Sequence, residues 1–194
     1  MWTVILAYIL AFTVATLADA GSTLLAMASG QGQEFNAAVA DESKMLNLEM
    51  FAYLNGGLLV FSVVMLTWAL LNRSRIEPRY IERPYLAAGS VFYLNPFSGT
   101  TIGRSPLHYI ALAPALVIFK SIVALNNTLI SLDIPDLLTP VAVAAIQRFG
   151  ELAGYWAVIA VLLIPVWLVS LYIAAGLVRK LDEQAEFELA PDGV

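Results

Sequence analysis

Cysteine is absent from the chain. That excludes disulfides, thiolate metal centres and a cysteine nucleophile together, and it leaves the redox character of the compartment unread. Histidine occurs once, at His108, so an H-E-x-x-H zinc site cannot be built. Neither a G-x-S-x-G nucleophile elbow nor a G-x-x-x-x-G-K-S/T phosphate loop is present. Charge is also scarce: 13% of the 194 residues are Asp, Glu, Lys or Arg, against about 25% in a soluble domain. The net charge of −5 gives no reason to expect a nucleic-acid partner. From these absences the expectation is a protein without a catalytic site, a bound metal or a cofactor.

What is abundant is apolar, 60% of the chain, and it gathers in four windows: 2–28, 46–71, 107–132 and 152–178. Each is long enough to cross a bilayer, which takes about 20 residues as a helix. Helices and closed barrels alone satisfy the backbone in lipid, and these runs lack the alternation of barrel strands. The sequence therefore predicts an all-α polytopic membrane protein. Its four spans make one domain, 1–181, followed by an acidic tail, 182–194. Ala26-Met27-Ala28 has the form of a signal cleavage site. The run is too long, however, and no basic residue precedes it, so an uncleaved helix is expected.

Lysine and arginine in the short loops set the orientation. Arg73, Arg75, Arg79, Arg83 and Arg104 follow the second span, and Arg179 and Lys180 follow the fourth. Lys44 and Arg148 alone stand on the other side. Both termini and the 72–106 loop are thus expected in the cytoplasm. That loop opens with a basic strip, 72–84, and passes through an aromatic segment, 85–94, too short to span. A turn-rich connector, 95–103, closes it. Arg73, Arg75, Arg79, Arg83, Tyr85, Phe92 and Tyr93 are its candidate contacts with head groups or with a partner. Outside, 137–149 reads as an interfacial helix with Thr139-Pro140 as N-cap and first-turn proline. Pro114 and Pro165 predict kinks within spans three and four.

One basic residue remains. Lys120 lies in the middle of span three, where a charge costs roughly 2.5–3.5 kcal/mol on insertion scales. Asp19 in span one is an acidic counterpart, sharing a helical stripe with Thr16 and Thr23. If both spans run outward, Asp19 lies roughly 13 Å and Lys120 roughly 18 Å below the outer helix ends, a difference the lysine stem covers. An Asp19–Lys120 pair follows, with Asn127 and Asn55 expected to fill its remaining hydrogen bonds. It pins helix one to helix three, lines a path for protons or ions, or meets a partner subunit. Small residues add a packing signal: Gly150 and Gly154 form a G-x-x-x-G, and Gly56-Gly57 flattens span two. His108 reads as an interfacial residue at a helix start.

Asp19-Ala-Gly-Ser-Thr23 followed by Gly32-Gln-Glu34-Phe-Asn36 resembles the opening of a family of small, uncharacterised bacterial integral membrane proteins. That family carries Asp and Thr late in its first helix, then a loop with Gly, Glu and Asn. Where it has Pro after the Asn, this chain has Ala37. The resemblance implies no activity. It does imply that Asp19, Thr23, Glu34 and Asn36 form one cluster at the outer end, with Glu49 close by at the start of span two.

The leading functional expectation is an accessory or assembly subunit packed against other membrane-protein subunits in the bilayer. The alternative is a small homo-oligomeric proton- or ion-coupled transporter or channel using Asp19 and Lys120. An enzyme acting on lipid near His108 comes third.

Overall fold

The computed structural model describes residues 1–30, 39–41, 45–92 and 105–189. Glu34, Asn36, Lys44, Tyr93, Arg104 and the 95–103 connector lie outside them. Among the described residues seven α-helices follow in order: α1 Trp2–Ala28, α2 Leu48–Leu71, α3 Pro78–Glu82, α4 Tyr85–Phe92, α5 Pro106–Ser131, α6 Leu138–Phe149 and α7 Glu151–Leu189. A 3₁₀ turn, Arg73–Arg75, links α2 to α3. No strand occurs among the described residues. Four of these described helices (α1, α2, α5 and α7) are long and apolar enough to cross a membrane, as a multi-pass membrane protein requires.

Local chemistry sets the helix ends. Asn47 caps α2, its Oδ1 accepting the Met50 N–H at 3.0 Å. α5 begins at Pro106, where a missing N–H costs nothing. It ends in a Schellman arrangement: the Asp133 N–H bonds Ile130 O and the Ile134 N–H bonds Leu129 O, both at 3.0 Å. Asp133 takes the left-handed position with φ 55°, which a short polar side chain tolerates. α6 departs from its expected cap. Asp136, not Thr139, receives its first N–H groups, those of Leu138 at 3.0 Å and Thr139 at 2.7 Å. Pro140 consequently lies inside the first turn instead of opening it.

The fourth span is also longer than its apolar run. α7 continues unbroken for 39 residues to Leu189, through the first half of the expected acidic tail. Residues 179–189 contain no Gly or Pro and are rich in strong helix formers. Arg73 Nε additionally reaches Asp182 Oδ1 at 2.9 Å. α5 and α7 remain continuous through Pro114 and Pro165.

Contacts group the chain into two compact units, and each long helix contributes to both. The first unit comprises Met1–Tyr8, Ser62–Ala115 and Trp167–Val194. Its fully buried side chains include Leu66, Leu70, Leu107, Ile110, Leu171 and Val178. Tyr8 Oη and Ser62 Oγ share a buried hydrogen bond of 2.6 Å. Trp68 meets Tyr109 edge-on at 5.4 Å. His108, at the start of α5, is buried and stacks on Trp167 with ring centroids 6.0 Å apart.

The second unit comprises Ile9–Phe61 and Leu116–Val166. Met27, Val39 and Leu46 form a buried cluster, with Ala20 and Phe51 packed against it. The two glycines of the G-x-x-x-G divide their labour here. Gly150 adopts φ 92°, a conformation only glycine takes readily, and turns the chain from α6 into α7. Gly154 allows the close approach: a Cβ there would lie 2.8 Å from Ile146 of α6. The expectation for Gly56-Gly57 fails, because nothing lies within 4 Å of where their Cβ atoms would be.

Candidate functional site

Lys120 Nζ donates to Asp19 Oδ2 at 3.0 Å, an ion pair whose side chains are 10% and 13% exposed. The depth arithmetic explains the meeting. Asp19 stands nine residues before the end of α1 and Lys120 eleven before the end of α5. At 1.5 Å per residue these are about 13.5 and 16.5 Å, within reach of the lysine stem. Two aromatic faces enclose the ammonium, Phe51 at 5.2 Å and Phe12 at 5.8 Å. Neither ring was visible from charge and spacing, because nothing in one helix's sequence states which face of another it meets.

Towards the helix ends, four residues past Asp19 and seven past Lys120, Asn127 Nδ2 donates to Thr23 Oγ1 at 2.9 Å. Thr23 in turn donates to the Asp19 carbonyl at 2.8 Å. The expected role of Asn127 is thereby corrected: its amide joins Thr23, not the ion pair. Asn55 differs similarly, its Nδ2 turning back to Phe51 O at 2.8 Å. A local acceptor one turn away asks for less ordering than a partner on another helix. Asn126, adjacent to Asn127, accepts the buried Leu138 N–H at 3.2 Å and ties α5 to the start of α6.

Asp19, Thr23, Asn55, Lys120 and Asn127 all line one cavity of about 750 Å³ in the second unit. That volume falls in the range of small-molecule sites. Its remaining wall is mostly apolar, with Leu54, Leu58, Phe119, Val158 and Ile159 prominent, and Asn126, Thr139 and Tyr155 add further polar groups. A concave apolar surface with a few convergent polar groups is the usual form of a ligand site.

The other sequence candidates are dispersed. Glu49 is exposed in the first turn of α2 and does not line the cavity. Arg73 is held by Asp182, while Arg75 and Arg83 are exposed. Arg79 pairs with Glu77 at 2.6 Å and lies over the Tyr80 ring at 4.8 Å. The Glu77 carboxylate raises the Arg79 pKa further above its ordinary value. Tyr85 is half exposed at the start of α4. Phe92 ends α4, and its side chain lies outside the described atoms, as do Tyr93, Glu34 and Asn36. Among the described residues no three acidic or histidine side chains converge as metal ligands. No protein-family model, curated protein or solved structure matches the chain.

Proposed function

We propose that this protein is a non-enzymatic, multi-pass membrane transporter whose solute site is the cavity around Asp19 and Lys120. One observation carries the reading: the ion pair lies in the wall of a cavity of about 750 Å³, instead of being sealed between packed helices. A pin between two helices needs no cavity. A site that exchanges a solute or an ion needs both the space and the charges.

Proteoliposomes with a trapped pH-sensitive dye test it against a panel of small solutes. Solute-dependent flux is expected, reduced at least about tenfold by Lys120→Met, the loss that about 1.4 kcal/mol of site binding energy represents. Flux that Asp19→Asn and Lys120→Met leave unchanged overturns the reading. The assembly-subunit reading has support of its own, since Phe187 is 85% exposed on the charged extension of α7. A lone 21.0 kDa chain after purification in mild detergent counts against that second role.

Seven basic residues on one side against two on the other support cytoplasmic termini. The cysteine-free chain makes this simple to check. Leu137→Cys, at a position 83% exposed before α6, is expected to react with an impermeant maleimide in intact cells. Phe187→Cys is expected to react after permeabilisation only. The reverse pattern inverts the topology.

A further inference from the structure

We infer that the cavity takes a zwitterion with a primary ammonium group and an apolar chain; this rests on the cavity being the solute site. Among the described residues the wall presents one cation and one anion, 3.0 Å apart, and both side chains are nearly enclosed. A ligand with one charge satisfies one of them and strands the other, and stranding a buried charge is heavily penalised. A zwitterion exchanges this single ion pair for two, its anion on Lys120 and its cation on Asp19.

Hydrogen-bonding capacity narrows the cation. An ammonium has three donors, and among the described residues Lys120 spends one on an acceptor, Asp19. Asp19 likewise receives a side-chain bond from Lys120 alone among those residues. Asn127 and Asn55 use their Nδ2 groups on Thr23 and Phe51, which turns amide oxygens to other uses. Asp19, Asn55 and Asn127 all line the cavity, and their carboxylate and two amide oxygens are three acceptors, the number that a primary ammonium's three N–H groups require. A quaternary ammonium has no N–H to offer them.

The size of the cavity supplies the chain. Leu54, Leu58, Phe119, Val158 and Ile159 give the wall its apolar surface, and about 750 Å³ leaves room for a chain beside a head group bound at Lys120. Two sources share this chemistry: an ethanolamine-headed lysolipid from the bilayer and a free amino acid with an apolar side chain.

Native mass spectrometry of the purified full chain separates the possibilities. The probes are lysophosphatidylethanolamine, lysophosphatidylcholine and lysophosphatidylglycerol of equal chain length, with free leucine as competitor. The ethanolamine lipid is expected to bind at least about tenfold tighter than either of the others, the discrimination that one lost charge-assisted bond represents. Asp19→Asn is expected to abolish its advantage over the glycerol lipid. Asn55→Leu, which alters no charge, is expected to weaken ethanolamine binding several-fold and controls for misfolding of Asp19→Asn. Displacement by leucine points to the free amino acid, and its failure to displace points to the lipid. Saturable binding that Leu58→Trp blocks, but with no head-group preference, overturns the zwitterion while keeping the cavity as the site. No saturable binding of any probe overturns both.

Discussion

Lys120→Met lowers the stability of the folded protein by roughly 3–5 kcal/mol, the range for removing one partner of a buried ion pair. Methionine keeps most of the lysine stem, so little packing is lost. What changes is Asp19, whose side chain is 13% exposed and then has no counter-charge. The double variant Asp19→Asn/Lys120→Met is expected within about 1 kcal/mol of the parent, because exchanging a whole buried pair for neutral groups is often close to neutral. Unfolding in mixed detergent micelles, followed for all four proteins, gives the coupling directly. Additive single effects would show that the 3.0 Å contact carries no energy.

Phe12→Ala is the second large effect, about 2–3 kcal/mol, below the 3–5 kcal/mol of soluble cores. Phe12 is 2% exposed and is among the largest fully buried side chains. Lipid is as apolar as the ring, so the solvent-transfer part of the usual penalty falls away and lost dispersion contacts remain. Its ring also faces the Lys120 ammonium, but at 5.8 Å, near the limit of about 6 Å for such contacts. Packing therefore outweighs cation attraction at this position. Phe12→Leu separates the two: it is expected to recover more than half of the loss in unfolding measurements. A loss as large as that of alanine would give the ring's charge interaction the larger share.

Much of the architecture is legible because lipid leaves the backbone few options. The apolar windows at 2–28, 46–71 and 107–132 coincide with α1, α2 and α5 to within two residues at each end. Composition fails at the fourth, where hydrophobicity stops near 178 while the helix does not. Beyond the apolar run, Arg179 to Leu189 keeps a helix through propensity and through Arg73, and neither leaves a hydropathy signal. The Asp19–Lys120 pair is legible from depth, because rise per residue is fixed. Its surroundings are not: Phe12, Phe51 and Tyr155 depend on how helices are rotated about their axes, which no single-helix pattern records. The amides of Asn55 and Asn127 depart from expectation for two reasons: Asn55 takes a local acceptor, Phe51 O, and Asn127 crosses to α1 but meets Thr23 one turn beyond Asp19. Gly150 and Gly154 match one motif, yet a turn explains the first and a contact explains the second.

Asp19 and Lys120 are 101 positions apart. At about 5–20 residues per second, the ribosome needs about 5–20 s to make the chain between them. For that interval α1 has already emerged with its carboxylate, while the cation that answers it has not been synthesised. Until α5 arrives, the first helix carries its carboxylate without the counter-charge it has in the folded protein. A nascent chain stalled before Pro106 carries an acid in its first span and no base in any other, the kind of intermediate that a membrane quality-control protease would recognise.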